Sequence, residues 1–362
     1  MKLKILHIVY SGVGGTGSVA TSIIDGDKKK EFIHQLIFSG KDKTFNGYKQ
    51  WCKKNSIKYF QLDNIKNFLI RDFMIYKNIK KINPKIIIFH MDNFLLTILL
   101  NFFNRFNLIY VEHCPLKYRK IRHYLLSYLI FIFFDKIIYL YEGYKSHILK
   151  KSKILNYLKR KISIIPNGIL LNNNALKIKA KIFRIGMISR YSFGKKQILL
   201  VDSIHKIKKE NPSLKIKLEL IGNGENFKII KKKIKQNNLQ NEIILTESLP
   251  EQNLKKWFSN IDLYCHLSVD EGLSTAILHA LSNKTLLLVT KNDGNKFLKN
   301  HAFFTKNNLS DVSQKIIYIS NNMHLFNKRI DKAFKFLQKK YSSNVMFESY
   351  KKEFIKLCAK KN

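Results

Sequence analysis

Residues 263–281 carry the pattern with the clearest chemical meaning. A strand is predicted over 263–266, Glu271 and Gly272 follow it, and a helix is predicted over 274–281. The first N–H groups of a helix have no backbone partner, so they bind anions such as a nucleoside diphosphate. The groups expected there are those of Leu273, Ser274 and Thr275. Glu271 would accept hydrogen bonds from sugar hydroxyls, or would instead cap the helix and stabilise its dipole.

A second candidate segment, 189–196, follows a strand predicted over 183–189. Its Arg190 and Lys195 are five residues apart and could clamp a diphosphate, because a guanidinium donates paired hydrogen bonds and an ammonium supplies a point charge. Ordinary solvated charge is the alternative in so basic a chain. The position of both residues directly after a strand favours binding.

Two glycine-containing turns could bring backbone N–H groups close to a phosphate or a sugar. One follows a strand predicted over 4–10 and the other a strand predicted over 217–221. The residues concerned are Gly14 and Gly15 in the first turn, and Gly222, Asn223 and Gly224 in the second. Neither is a P-loop sequence, and the first lacks the acidic partner of a dinucleotide site. Taken singly, each is equally well explained as a tight turn.

These residues need sheets that bring strand ends together. Short β-branched runs alternate with longer amphipathic segments along the chain, which predicts an α/β fold with parallel sheets covered on both faces. The alternation restarts after the polar link 172–181. We therefore predict two doubly wound, Rossmann-like domains, over 1–168 and 169–340. Ligands of such sheets bind at the carboxyl ends of the strands.

Composition limits the possible partners. The 362 residues carry a net charge of +41, spread through both halves, which would attract phosphorylated substrates, nucleic acid or anionic lipid. An abundance of lysine in the proteome is the alternative explanation. Four cysteines without C-x-x-C spacing argue against a zinc ribbon and a disulfide framework, and favour reduced thiols in a cytoplasmic protein.

Two apolar runs, 94–103 and 124–134, are each near ten residues long. Both are well short of the roughly 20 residues that span a bilayer. The first predicts a buried helix. The second follows a basic and aromatic cluster at 117–124, a combination that suits the surface of an anionic membrane. We therefore predict peripheral contact with the inner face of the cytoplasmic membrane.

Taken together and in this order, the motifs resemble the retaining glycosyltransferases of family 4, over nearly the whole chain. The resemblance is carried by the glycine turn at 12–17, His90 and His113 at strand ends, the segment 165–169 with Asn167, Arg190 with Lys195, the turn at 222–224, the segment 249–251, and Glu271 with Gly272. It implies two Rossmann-like domains that face a central cleft (GT-B). It also implies that residues 341–362 form a closing helix that crosses back to the first domain.

The resemblance also implies roles for individual residues. Arg190 and Lys195 would hold the donor diphosphate and stabilise the leaving group, and Glu271 would contact hydroxyls of the donor sugar. His113 would lie near the reacting carbon. The remaining donor-site residues implied are Gly14, Gly15, Asn167, Gly222, Asn223, Gly224, Ser248, Leu249, Gly272, Leu273, Ser274, Thr275 and His279.

Three positions depart from the family pattern. The family often has a second glutamate eight residues after the first, bound to the ribose, and here that residue is His279. An imidazole can make one ribose hydrogen bond where a carboxylate makes two, and a helix histidine with a local partner is the alternative. Lys196 replaces a common glycine, and Leu170 replaces a common aspartate.

The leading hypothesis is an enzyme that moves a hexose or N-acetylhexosamine from a nucleoside-diphosphate sugar to a bacterial glycan or lipid-linked acceptor, with retention. The residues around Glu271 favour a UDP-sugar. No D-x-D motif stands near the donor loops, so we expect no metal and no cofactor besides the co-substrate. Alternatives are a sugar-nucleotide epimerase, which needs no acceptor, a donor-binding protein without catalysis, and a nucleic-acid-binding protein, whose motifs are absent from the sequence.

Overall fold

The computed structural model describes residues 2–12, 14–102, 106–113, 129–130, 132–151, 159–175, 177, 181–247, 249 and 251–359. The chain divides into two compact units. The first unit comprises residues 1–170 and 341–362, and the second comprises 171–340. The first boundary lies two residues beyond the predicted one.

The first unit is built on a seven-stranded sheet with the order β3-β2-β1-β4-β5-β6-β7, and its neighbouring strands pair in parallel. The strands are Lys4–Tyr10 (β1), Ile33–Ser39 (β2), Lys58–Leu62 (β3), Ile86–Phe89 (β4), Asn107–Val111 (β5), Lys136–Tyr139 (β6) and Ile162–Ile164 (β7). The order reverses between β1 and β4, which is where open α/β sheets bind ligands.

Helices cover this sheet. They are Gly15–Gly26 (α1), Asn46–Lys54 (α2), Phe68–Ile82 (α3), Phe94–Phe102 (α4), Glu142–Lys151 (α5) and Ser343–Ala359 (α12), with a 3₁₀ turn at Lys159–Lys161. The side chain of Asn67 caps α3, and left-handed Asn83 ends it directly before Pro84. The closing helix α12 packs on α1 so tightly that a Cβ at Gly26 would lie 2.3 Å from the Ser343 carbonyl oxygen.

The second unit contains a six-stranded sheet with the order β10-β9-β8-β11-β12-β13, again with parallel neighbours. The strands are Phe183–Ile188 (β8), Ile216–Ile221 (β9), Ile243–Thr246 (β10), Leu263–His266 (β11), Leu286–Thr290 (β12) and Phe303–Thr305 (β13). The helices are Gln197–Glu210 (α6), Phe227–Gln236 (α7), Glu251–Asn260 (α8), Thr275–Ser282 (α9), Leu309–Asn321 (α10) and Asn327–Lys340 (α11), with 3₁₀ helices at Asp293–Leu298 and Met323–Phe326.

The predicted fold class is confirmed: each unit is a parallel sheet with flanking helices. Two strands, β3 and β13, were not predicted. Both are at sheet edges, where strands are short and partly exposed and carry no continuous apolar run.

The predicted membrane-contact segment lies mostly outside the described residues, including all of the basic cluster at 117–124. Residues 94–102 of the run at 94–103 form α4, which buries Leu96 and Leu100 and exposes Phe102. Of the helices that the structure describes, none combines the length and the apolar character needed to cross a bilayer.

Candidate functional site

The loop after β8 is bonded to the loop after β11. Lys196 donates its N–H to the Leu267 carbonyl at 3.0 Å, and Val269 donates its N–H to the Gly194 carbonyl at 2.9 Å. The two strands are neighbours in the sheet, so both loops emerge at the same point of its carboxyl edge. This pairing brings the basic segment next to the loop that contains Glu271.

A third loop, after β9, packs on the basic segment through its glycines. Tyr191 donates its N–H to the Asn223 carbonyl at 3.0 Å. Gly222 has φ +154, and a Cβ there would lie 2.0 Å from the Ser189 carbonyl oxygen; a Cβ at Gly224 would lie 2.4 Å from that of Tyr191. These glycines are therefore needed for close contact between two backbones.

Glu271 is the centre of a buried polar cluster. Its Oε1 accepts a hydrogen bond from His266 Nε2 at 2.8 Å and forms an ion pair with the Lys195 ammonium. The Glu271 N–H donates to the Asp270 side chain at 3.0 Å. Only 10% of the Glu271 side chain is exposed, so its charge depends on these donors and not on water.

His266 is a neutral donor in this cluster. Burial, and then the neighbouring Lys195 charge, hold the His266 pKa well below its ordinary value. A carboxylate only accepts hydrogen bonds, so the neutral imidazole donates its Nε2–H to Glu271. The Tyr264 hydroxyl lies 3.3 Å from its other ring nitrogen. His266 thus orients the Glu271 carboxylate.

Lys195 is a buried cation that a bound anion would stabilise. Burial lowers the Lys195 pKa to about 8, and the negative charge of Asp270 opposes that effect. About a fifth of the side chain remains exposed. A diphosphate beside this ammonium would restore its preference for the charged form.

Arg190 is exposed, and among the described residues its side chain makes no ion pair. Its backbone is fixed, because Gln197 donates from Nε2 to the Arg190 carbonyl at 2.9 Å and to Ser189 Oγ at 2.7 Å. The guanidinium is therefore a free donor on a rigid loop. That arrangement suits capture of a phosphate from solution.

Helix α9 begins at Thr275, one residue later than predicted, with Ser274 at the N-cap. Ser274 makes no side-chain cap hydrogen bond. The first-turn N–H groups, starting at Thr275, have no carbonyl partners inside the helix, and Thr275 is one of the three residues predicted for this role. With the helix dipole, they form an anion-binding end directly after Glu271 and Gly272.

His279 lies on α9, four residues after Thr275. Its ring stacks on Phe258 at a centroid distance of 6.5 Å. Burial, followed by the nearby Lys255 charge, lowers the His279 pKa to about 4. A neutral imidazole at this point can make one hydrogen bond to a hydroxyl but cannot carry charge.

Sequence reasoning missed several residues that support the site. His266 is the last residue of the strand predicted over 263–266, and nothing in the sequence indicates its contact with Glu271. The Ser268 N–H donates a hydrogen bond to the Thr290 hydroxyl oxygen at 3.0 Å. A Cβ at Gly294 would lie 2.1 Å from the Glu271 carbonyl oxygen, so the 3₁₀ helix after β12 packs directly on the Glu271 turn. That glycine was the only signal in the sequence for this contact.

The other predicted site residues are dispersed. Leu249 follows β10 in the second unit, and Ser248 lies outside the described residues. Gly14 and Gly15 begin α1, where the Tyr48 hydroxyl donates to the Gly14 carbonyl at 2.6 Å. Asn167, predicted to bind the donor, belongs to the first unit and is buried.

His113 lies two residues beyond the end of β5, at the carboxyl edge of the first sheet. Its Nε2 is 3.3 Å from His90 Nδ1. Burial lowers the His113 pKa to about 4, so its imidazole is neutral.

Comparison with solved structures identifies the fold. Anabaena HepE in complex with UDP and glucose superposes with a TM-score of 0.80 at 15% identity, over 97% of this chain and 99% of that chain. The fold is GT-B. Within this GT-B chain, residues 171–340 match the protein family described as glycosyl transferases group 1, and that segment is the second unit.

Two curated proteins are similar to parts of the GT-B chain. Protein CapJ of Staphylococcus aureus is 31% identical over 136 residues, which are 37% of this chain and 34% of CapJ. The poly(glycerol-phosphate) alpha-glucosyltransferase of Bacillus subtilis is 28% identical over 188 residues, which are 50% of this chain and 27% of that enzyme. The chain thus matches about a third or less of each relative's length. Together with the family match, these likenesses support a GT-B glycosyltransferase.

Proposed function

We propose that this chain transfers a hexose or N-acetylhexosamine from a UDP-sugar to a hydroxyl of a bacterial glycan or lipid-linked acceptor, with retention of anomeric configuration. The observation that carries the proposal is the cluster of Glu271, Lys195 and His266 beside the open N-terminus of α9. It combines a carboxylate for sugar hydroxyls with donors for a diphosphate.

In this proposal the leaving diphosphate is stabilised electrostatically. Lys195 and Arg190 supply positive charge, and the first-turn N–H groups of α9 supply fixed dipoles that need no reorganisation. As the bond from the anomeric carbon to the phosphate oxygen breaks, charge grows on that oxygen, so these groups bind the transition state more strongly than the donor.

Glu271 is proposed to bind hydroxyls of the donor sugar. His266 holds one carboxylate oxygen, which leaves the other available. His279 is proposed to make a single ribose hydrogen bond, and the backbone at Leu249, with Ser248, to contact the base. Gly222, Asn223 and Gly224 are proposed to shape the phosphate loop, and the close packing of the two glycines on the backbone of Ser189 and Tyr191 supports this.

The first unit is proposed to bind the acceptor, with His113 near the reacting carbon, and its Gly14, Gly15 and Asn167 are proposed to contact the donor. We continue to expect catalysis without a metal or cofactor, because Lys195 and Arg190 would take the part of a cation at the diphosphate. The names of relatives support the substrate class: HepE was solved with UDP and glucose, and the B. subtilis relative is an alpha-glucosyltransferase.

A donor screen tests this function. The purified chain is incubated with UDP-glucose, UDP-galactose, UDP-N-acetylglucosamine and GDP-mannose, with and without extracted bacterial glycolipid, and released nucleotide is measured. We expect acceptor-dependent release from a UDP-sugar and, by NMR, an α-linked product. An epimer formed from donor alone, or no release with any donor, would reject the transferase.

We also propose that the first unit contacts an anionic membrane at the cytoplasmic face. Helix α3 exposes Phe68, Leu69, Ile70, Phe73 and Met74 to between 37% and 57%. The same helix carries Arg71, Lys77, Lys80 and Lys81. Exposed apolar side chains with basic neighbours suit insertion into a headgroup layer.

Replacing Ile70 and Phe73 with serine should weaken binding to phosphatidylglycerol vesicles by about tenfold or more, since each large side chain contributes roughly 1–2 kcal/mol when partly buried in lipid. Vesicle sedimentation measures the fraction of protein that is bound. Leu325→Ser, at an equally exposed apolar residue of the second unit, is the control and should bind as the parent does. Equal binding by all three proteins would exclude α3 as the contact.

A further inference from the structure

Four histidines form a line across one face of the first sheet. His34 is on β2, His7 on β1, and His90 and His113 follow the ends of β4 and β5, and these are four neighbouring strands. His7 is paired in register with Leu36 on β2 and Ile88 on β4. His34 is two residues from Leu36, and His90 is two residues from Ile88. Alternate side chains of a strand point to the same face, so the imidazoles of His7, His34 and His90 share one face. The line runs diagonally, from the amino end of β2 to the carboxyl edge.

The ring nitrogens of these residues meet pairwise. His34 Nδ1 is 3.1 Å from His7 Nε2, His7 Nδ1 is 3.3 Å from His90 Nε2, and His90 Nδ1 is 3.3 Å from His113 Nε2. At the far end, His34 Nε2 lies 3.4 Å from Asp27 Oδ2. Each contact uses one nitrogen of each ring, so the line is continuous.

The carboxylate at one end sets the direction of the line. With His34 in its neutral form, the nitrogen that faces Asp27, Nε2, carries the proton, because a carboxylate only accepts, and Nδ1 accepts from His7. A neutral imidazole has one donor and one acceptor, and His7 and His90 must then repeat the same tautomer. The consequence at the other end is that His113 donates Nε2–H to His90 and keeps the Nδ1 lone pair. Among the described residues, that lone pair has no hydrogen-bond partner.

The pKa shifts of His7, His90 and Asp27 agree with this order of donors and acceptors. Burial, and then the positive charge that His34 and His90 would carry, hold the His7 pKa well below its ordinary value, and burial does the same for His90. Burial opposes ionisation of Asp27, but hydrogen bonds from His34 and from the N–H groups of Phe32 and Glu31 outweigh it and lower the Asp27 pKa. The two inner imidazoles, His7 and His90, are therefore neutral, and a carboxylate lies at one end of the line.

Packing alone does not explain the line. Val9, Leu36 and Phe38 lie in the same sheet layer and are fully buried, so apolar side chains fit there. Burying an imidazole costs free energy unless both nitrogens are satisfied. A metal site does not explain it either, because the nitrogens face one another in pairs, and within the described residues no group of three ligands is arranged to hold an ion.

We propose that Asp27, His34, His7 and His90 are positioning residues that fix His113 with its Nδ1 lone pair presented at the carboxyl edge, where it accepts a hydrogen bond from the attacking hydroxyl of the acceptor. The inference rests on the proposed transferase function. It assigns His113 Nδ1 to the acceptor hydroxyl as its hydrogen-bond acceptor. The tautomer of His113 is set by Asp27, at the other end of the line. Asp27 itself touches no substrate.

The first test reads tautomers and needs no activity. Long-range ¹H–¹⁵N correlation spectra of the histidine-labelled full chain distinguish Nε2–H from Nδ1–H imidazoles. We expect the Nε2–H form at His7, His34, His90 and His113. In Asp27→Asn the fixed acceptor is lost, and we expect His113 to become a mixture of tautomers. An Nδ1–H form at His113 in the parent protein, or an unchanged spectrum in Asp27→Asn, would overturn the proposal.

The second test measures turnover. Asp27→Asn should lower kcat by about 10- to 100-fold, in the range found when a partner that orients a functional histidine is removed, with the KM for donor unchanged. Asp135→Asn is the control, because Asp135 also accepts a buried backbone N–H, from Leu108 at 2.8 Å, but lies outside the line. His7→Leu breaks the line at its centre and should give the same result as Asp27→Asn if the latter fails to fold.

The two tests separate this inference from the function it rests on. Failure of the donor screen with the expected tautomers present would reject the transferase and leave the line of histidines intact. Normal turnover in Asp27→Asn and His7→Leu would reject the positioning role and leave the transferase intact.

Discussion

Replacing Glu271 with glutamine is expected to lower kcat about 100- to 1000-fold, the usual cost of removing one preorganised electrostatic contact to a transition state. Glutamine keeps the volume and can still accept the hydrogen bond from His266. It loses the charge that holds donor hydroxyls and pairs with Lys195. Steady-state kinetics with the donor and acceptor found in the screen measure the effect.

A matched control for this substitution lies in the same unit. Glu219 is also mostly buried and paired, accepting from Trp257 Nε1 at 2.7 Å and lying 3.4 Å from the Arg184 guanidinium. Glu219→Gln should perturb stability to a similar degree and leave kcat near that of the parent. Equal losses in the two variants would mean that Glu271 acts only on folding. Full activity in Glu271→Gln would remove Glu271 from the donor site.

Lys195→Met is expected to lower kcat/KM about 100- to 1000-fold, because the leaving diphosphate loses its nearest cation. Lys195→Met should also remove the pH dependence of UDP affinity. With a pKa of about 8 in the free protein, Lys195 is mostly neutral at pH 9, whereas a bound diphosphate favours its charged form. Binding then takes up a proton, and UDP affinity should fall about tenfold per pH unit above pH 8.

Calorimetric titration with UDP between pH 7 and 9.5, in buffers of different ionisation enthalpy, measures affinity and proton uptake together. Lys196→Gln is the control, since Lys196 is adjacent in sequence but places its ammonium over the Phe193 ring at 5.2 Å. It should keep the pH dependence of the parent. A pH-independent affinity in the parent protein would contradict the assignment of Lys195 to the diphosphate.

The loops of the proposed donor site could be selected from the sequence because their residue pattern is local. Arg190, Lys195 and Glu271 each follow a strongly apolar strand, and the βαβ rhythm implies that successive strand ends share one edge. That β8 and β11 are neighbours, and that Lys195 therefore meets Glu271, depends on strand order. Strand order is set by packing of the whole unit and was not readable from any motif.

The histidine line shows what sequence could not provide. His7, His34, His90 and His113 are far apart in the chain, and only strand order together with a two-residue register offset aligns their rings. A shift of one residue in any strand would turn one ring to the other face. The edge strands β3 and β13, which are short and partly exposed, were also not predicted.

The most direct test of the proposed donor site is a crystal structure of the full chain with UDP bound. We predict that the diphosphate lies within hydrogen-bond distance of Lys195 and of the first-turn N–H groups of α9, with the Arg190 guanidinium turned toward it. A diphosphate bound to any other loop, with Lys195 still paired to Glu271, would contradict the central claim.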